Sequence, residues 1–579
     1  MSMKVVGIPI CPGIVCGKAF VFSDTFDFTA NIESDLLQDP NEKKDTVRRA
    51  IDKAHEQLLA AMDTIGDKDS DAYTILEAQL SVLHDEAVNE EIFSFLEQGI
   101  CISVAVNKTF DIYIRILGDS ENEFSQERTA DLDDVRKRLL RCLAGINEKS
   151  LGDMEAPSVI VAKDLSPSDT ATLKKDMVLA ILTEKGGETS HTAILARSLG
   201  IPTILGVGKI VDFIKDGDYL GVNAQNGEIF INPTAGEISS LQKLRYTFEK
   251  GQKEILTYKV KDAKTLDGTR IRVKLNVAEA SSIMDEDADA SDGVGLMRSE
   301  FLYMQSDRLP DEEEQYKAYY DVLKKFKNKP VILRTLDIGG DKTLSALDLP
   351  KEDNPFLGCR AIRLCFSKPE IFKTQLRAAL RASAHGPLHL MFPMIGSLDD
   401  WYKAKDFVES TKRELEKEGK AFDHNIPLGI MIEVPSAALL SDRLAREVDF
   451  ASVGTNDLCQ YLYAADRLNP HVSQYYQSYS PAMLRVLDYV AQQYKAADTP
   501  VSICGEMGGD PCATILLVGL GFRSLSMNAS SLGGVKQTIC HISMDDARCL
   551  AKKACDANNQ EEVFQLLEAY RQTNSIQQR

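Results

Sequence analysis

A chain of 579 residues is too long for one hydrophobic core; at about 150 residues per domain it holds three or four domains, one fewer if a barrel is among them. Hydrophobic residues at 44% and charged residues at 27% exclude a mostly disordered polymer. Lys+Arg 67 against Asp+Glu 87 leaves a net charge of −20. That balance opposes general binding to a nucleic-acid backbone and fits a cytoplasmic enzyme, or one whose protein partner carries a basic face.

No stretch reaches the ~18 to 20 apolar residues of a membrane helix, and the start, MSMKVVGIPICPGIVCGKAF, carries no signal-peptide pattern. The twelve cysteines stand singly with no C-x-x-C pair, as expected of reduced thiols rather than a zinc or redox motif. In chain order, VVGIPI and IVCGKAFVF predict two strands around a Pro12-Gly13 turn. Helical periodicity then runs from about Pro40 to Ile146, as in KKDTVRRAIDKAHEQLLAAMDTIG and DAYTILEAQLSVLHDEAVNEEIFSFLEQG. Strand signals return at APSVIVAKDL, MVLAILTE, IPTILGVG, DYLGVN and GEIFINP. The expected organisation is an α/β domain, 1–24 and 147–233, interrupted by a helical domain, 25–146. A charged linker helix over 234–260 follows. From 261 to 579, eight apolar strand candidates (IRVKLNV, GVGLM, VILR, LHLMF, LGIMI, FASVG, VSIC and FRSLSM) alternate with helical stretches. That pattern predicts a parallel (β/α)8 barrel, with an open doubly wound sheet as the alternative.

Barrel chemistry sits at the carboxyl ends of strands. GVGLM runs into Arg298, VILR ends at Arg334, LGIMI runs into Glu433, FASVG leads to Asn456 and Asp457, and VSIC ends at Cys504. Any one of these alone reads as a polar strand end; five of the eight strands sharing the habit read as a site. Arginine forks match phosphate and carboxylate oxygens. Glu433 and Asp457 offer two oxygen donors, too few to cage calcium and suited to Mg2+. Arg360 in NPFLGCRAIR and Arg467 in AADRLNP lie in loops that reach the same mouth.

In EKGGETSHTAILARSLGIPTILG, Thr189 and Ser190 are helix caps, and Gly200 and Pro202 stop the helix. His191 therefore falls at a helix start, where free N–H groups favour a phosphoryl group and the dipole keeps the imidazole neutral and nucleophilic.

GGETSHTAILAR resembles the phosphohistidine signature shared by enzyme I of the bacterial phosphotransferase system, pyruvate phosphate dikinase and phosphoenolpyruvate synthase. GLMRSEFLYM, VILRTLDIGGDK, NPFLGCRAIR, IMIEVPSA, SVGTNDLCQY and ICGEMGGD are similar to the phosphoenolpyruvate-binding half of enzyme I. The likeness runs over nearly the whole chain, without the ATP-grasp domain that the dikinase and synthase need. It implies that His191 accepts the phosphoryl group, with Thr170 as its hydrogen-bond partner. Arg298, Arg334 and Arg467 would hold the substrate phosphate, with Asn456 and Arg360 orienting it. Glu433 and Asp457 would bind Mg2+, and Cys504 would protonate the enolate to pyruvate. The resemblance further implies the phosphocarrier HPr as partner of the helical domain, and a homodimer through the carboxyl-terminal domain. Glu188 departs from the basic residue frequent in the family, and Gln79 from an expected histidine. A regulatory adaptor and a dikinase or synthase relative stand as alternatives.

Overall fold

The computed structural model describes residues 3–22, 39–65, 71–118, 123–145, 151, 154–165, 173–187, 190–304, 308–339, 347, 352–467, 469 and 471–574. The chain forms two compact units, Met1–Lys250 and Gly251–Gln578, divided within the helix Ala235–Lys259. Among the described residues no helix is long and apolar enough to cross a membrane, and no two cysteines form a disulfide.

The first unit carries an eight-stranded sheet in the order β1-β8-β7-β3-β4-β5-β6-β2. Its strands are β1 (Met3–Val6), β2 (Ile8–Cys11), β3 (Ile14–Phe22), β4 (Ser158–Ala162), β5 (Val178–Thr183), β6 (Thr203–Leu205), β7 (Tyr219–Asn223) and β8 (Glu228–Ile231). VVGIPI, expected as one strand, is two, because the chain changes partner at Gly7. β1 pairs antiparallel with β8, and β2 antiparallel with β6, at the other end of the order. Glycine suits that crossing: a Cβ at residue 7 would stand 2.7 Å from Ile204 Cγ2 and 2.8 Å from Leu205 O.

Between β3 and β4 the described residues form five helices, α1 (Pro40–Ile65), α2 (Asp71–Leu83), α3 (Glu86–Glu97), α4 (Ile102–Gly118) and α5 (Glu123–Leu143). Their apolar stripes share one core, including Val47, Leu58, Leu76, Ile92, Val106 and Leu139. The helical stretch DAYTILEAQLSVLHDEAVNEEIFSFLEQG forms two helices, α2 and α3. Asp85 takes the backbone N–H groups of Ala87 (2.8 Å) and Val88 (3.2 Å), and so starts a new helix. Gln79 is fully buried in this bundle, its Nε2 donating to Asp134 Oδ2 at 3.4 Å.

The second unit is a closed barrel of eight parallel strands, and every strand candidate read from the sequence joins it. They are β9 (Arg272–Val277), β10 (Val294–Arg298), β11 (Val331–Arg334), β12 (Leu388–Phe392), β13 (Leu428–Ile432), β14 (Phe450–Val453), β15 (Val501–Ile503) and β16 (Ser524–Met527), which pairs back onto β9. Period-two alternation sorts their side chains. Val331, Leu333, Leu388, Leu390, Leu428 and Ile430 join the large core packed with the helices. Leu296, Ile332, Met391, Met431, Phe450 and Cys504 form a separate cluster inside the barrel. This apolar layer divides the barrel interior into two polar ends.

Candidate active site

Parallel strands bring their carboxyl ends to one mouth, and polar residues collect there. Arg334, the last residue of β11, is buried and donates through Nη2 to Glu300 Oε1 at 2.6 Å, with Nη1 at 2.8 Å from Asp337 Oδ2. Arg360 donates through Nη2 to Asp337 Oδ1 at 3.0 Å and through Nη1 to Tyr461 Oη at 3.1 Å. Asp337 thus ties the two guanidinium groups together. Both arginines are held above their ordinary pKa by the surrounding carboxylates, although burial alone opposes the charge. Their Nε atoms have no hydrogen-bond partner among the described residues.

Glu433 follows β13 directly and is 1% exposed. Its Oε1 accepts the backbone N–H of Met394 at 2.7 Å, and Met394 adopts φ 56° to present it. Burial, then the neighbouring Asp457 and Asp337, push the Glu433 carboxyl up to about 8. Asp457 lies in the first turn of the helix Thr455–Tyr463. Arg360 Nη2 stands 3.5 Å from its Oδ2, and Arg467 Nη1 3.9 Å from its Oδ1. That Oδ1 is buried and has no hydrogen-bond partner among the described residues. Two crowded carboxylates, one raised in pKa and one with an unused oxygen, fit a hard divalent cation. Among the described residues no third carboxylate, histidine or cysteine joins them as a metal-holding group, so further ligands would come from water and substrate.

Arg298 ends β10 beside Arg334 in register, is exposed, and makes no ion pair or hydrogen bond among the described residues. Asn456 accepts the N–H of Glu506 on its Oδ1 at 3.0 Å, which fixes the loop after β15. Cys504 opens that loop, is 2% exposed and directs Sγ to Val453 O at 3.5 Å. Burial, reinforced by Glu433, pushes its thiol up to about 11, so it stays protonated at neutral pH. Gly505 is required here, since a Cβ would stand 2.0 Å from Thr455 Oγ1.

In the first unit, the helix His191–Leu199 is capped by Ser190, whose side chain accepts the N–H of Ala193 at 3.3 Å. Gly200 closes it at φ 66°. His191 is its first residue, and Thr192 behind it is buried with Oγ1 3.5 Å from Leu165 O. Thr170, Glu188 and Thr189 lie outside the described residues.

Three family models match the chain in succession: "PEP-utilising enzyme, N-terminal" over residues 6–128, "PEP-utilising enzyme, mobile domain" over 154–227, and "PEP-utilising enzyme, PEP-binding domain" over 252–544. The phosphoenolpyruvate-protein phosphotransferase of Haemophilus influenzae is 38% identical over 577 residues, covering 98% of this chain and 99% of its own. The chain belongs to the phosphoenolpyruvate–protein phosphotransferase family. Its counterpart in Staphylococcus epidermidis is 38% identical over 98% of this chain, and that of Staphylococcus carnosus 37% over 98%. An NMR solution structure of an enzyme I protein aligns with 42% of this chain and 99% of its own, at 31% identity and a TM-score of 0.39.

Within this family frame, the barrel links Arg334, Arg360, Asp457 and Arg467 in a chain of ion pairs, with Asp337 between the first two, and Glu433 lies close enough to feel the charges of Asp457, Asp337, Arg334 and Arg360. The sequence reading passed over Glu300, Asp337, Tyr461 and the Met394 N–H. Glu300 and Asp337 stand inside the quoted GLMRSEFLYM and VILRTLDIGGDK, and the available signal was an acid within three residues of an arginine in each.

Proposed function

We propose that the chain transfers the phosphoryl group of phosphoenolpyruvate to His191 and from there to a histidine of HPr, releasing pyruvate, in the cytoplasm. Family membership over the full length carries this reading, and the mouth chemistry supports the residue roles. Arg298, without a partner among the described residues, and Arg467, at the rim, receive the substrate phosphate. Arg334 and Arg360 present fixed positive charge from below, held in orientation by Asp337. Asn456 sets the loop that carries Cys504. Glu433 and Asp457 would hold Mg2+, which supplies charge neutralisation for the substrate's oxygens.

The neutral imidazole of His191 attacks phosphorus; the N–P bond forms as the P–O bond to the enol oxygen breaks. The enolate left in the barrel takes a proton on its methylene carbon from the Cys504 thiol, and solvent returns a proton to the thiolate. Phosphohistidine then passes its phosphoryl group to HPr. The first helical turn at His191, with its free N–H groups, stabilises the phosphoryl group between the two transfers. Thr170 is proposed as its hydrogen-bond partner. The helical segment α1–α5 is proposed to receive HPr, and the second unit to form the homodimer.

The test is transfer itself. The purified chain, given 32P-labelled phosphoenolpyruvate and Mg2+, should acquire acid-labile label and pass it to added HPr. Labelling from γ- or β-labelled ATP but not from phosphoenolpyruvate would replace this reading with a nucleotide-dependent one.

A further inference from the structure

The amino-terminal end of the same barrel, beneath the apolar layer, holds an unassigned cavity of about 320 Å³. Lys274 on β9 lines it, is only 7% exposed, and makes no hydrogen bond or ion pair among the described residues. Burying an ammonium group without a partner is costly, and natural cores rarely contain one unpaired. Burial and the nearby Arg272 lower its pKa to about 8, so it remains largely cationic at neutral pH. Ser524, on the neighbouring strand β16, lines the same cavity with a buried Oγ that has no hydrogen-bond partner among the described residues. The one carboxylate in the wall, Asp449, is occupied by the Leu428 N–H at 2.8 Å.

A second cavity of about 420 Å³ continues from the first, sharing Arg272, Pro500, Val501 and Ser524. Its walls add Arg270, Lys495 and Arg523, and no carboxylate. Arg270 is paired with Asp292 at 2.7 Å, and Arg523 with the carbonyls of Val518 and Phe522. Arg272 and Lys495 are exposed and have no side-chain partner among the described residues. In a chain of net charge −20, this gathers unpaired positive charge into a concave, partly apolar setting, the ordinary make-up of a small-anion site.

We propose that the paired cavities at the amino-terminal end of the barrel bind a small polyanion, a phosphate ester or polycarboxylate, with Lys274 as the buried contact and Arg272 and Lys495 at the entrance. The site is separate from the catalytic mouth, because its lining includes none of the mouth's charged residues, and Ile332 and Phe450, which line the first cavity, belong to the apolar cluster that also includes Met431 and Cys504. Barrel chemistry ordinarily occupies the other end, so the expected role is binding without turnover.

Isothermal titration calorimetry of the full chain in EDTA, with pyrophosphate and separately with citrate, tests this. At least one probe should bind at one site per chain and weaken with added salt. Lys274→Met and Arg272→Gln should each weaken it by about tenfold or more. Labelling from phosphoenolpyruvate and Mg2+, without the probe, should be unchanged in both. Binding of pyrophosphate alone would identify the occupant as a phosphate compound, and of citrate alone as a polycarboxylate. Absence of binding by either probe, or binding equal to wild type in both variants, would overturn the proposal. Should Lys274→Met fail to fold, the exposed Arg272→Gln decides.

Discussion

Replacing Asp337 by alanine should separate two arginines that its carboxylate now joins. Its Oδ2 stands 2.8 Å from Arg334 and its Oδ1 3.0 Å from Arg360, and all three residues are at least nine-tenths buried. Arg334 would keep Glu300 at 2.6 Å, while Arg360 would retain, among the described residues, Tyr461 at 3.1 Å, Asp457 at 3.5 Å and the face of the Phe356 ring. Removing one partner of a buried ionic cluster leaves charge without compensation, at a cost of about 3–5 kcal/mol. Arg360 would be drawn toward Asp457, changing the carboxylate pair proposed for the cation. Urea denaturation of the full chain should show the stability loss in its barrel transition, and KM for phosphoenolpyruvate should rise about tenfold or more. Transfer back from phospho-HPr should be unaffected, since His191 belongs to the other unit. A variant within about 1 kcal/mol of wild type and with unchanged KM would refute this role for Asp337.

Cys504→Ala should still bind phosphoenolpyruvate, because a thiol held near 11 is a neutral proton donor rather than a phosphate ligand; stereospecifically labelled substrate in deuterated solvent should give pyruvate methyl groups of mixed chirality, and one retained hand would return Cys504 to packing. Glu433→Ala and Asp457→Ala should each lose cation-dependent labelling from phosphoenolpyruvate while the first unit still accepts phosphate from phospho-HPr; loss of both reactions would contradict their placement. His389, at the amino-terminal end of β12, has its pKa lowered to about 4, first by burial and then by Lys274. The unfolded chain, with histidine near 6.5, binds this proton first, so stability is present above pH ~6.5 and falls as pH drops toward ~4, by about 3 kcal/mol in all. His389→Phe should remove that portion of the acid-side slope in urea melts, and an unchanged slope would count against it.

The barrel was legible because most of its strands are short, largely apolar runs, and five of the eight end in or lead into a candidate site residue, so strand ends and site residues announce one another. The helix at His191 was legible from Ser190 and Gly200, which act as its caps. What escaped was decided by tertiary pairing. The exchange of sheet partners at Gly7 depends on β6 and β8, which lie about two hundred residues away. Asp337 acquires its role only when the loop carrying Arg360 folds back over β11, with Ala361 at φ 52°. The Met394 N–H that holds Glu433 depends on a positive φ that a methionine does not advertise. Lys274 read as one polar letter in IRVKLNV, and only closure of β16 onto β9 turns it toward a cavity.

The most direct test of the central claim is to map the phosphoryl group on the chain. Wild-type protein incubated with labelled phosphoenolpyruvate and Mg2+, digested at alkaline pH and sequenced by mass spectrometry, should carry one acid-labile phosphoryl group per chain, on the peptide containing His191. His191→Ala should carry none. Full labelling of His191→Ala, or a label located on any other residue of the wild type, would contradict the account.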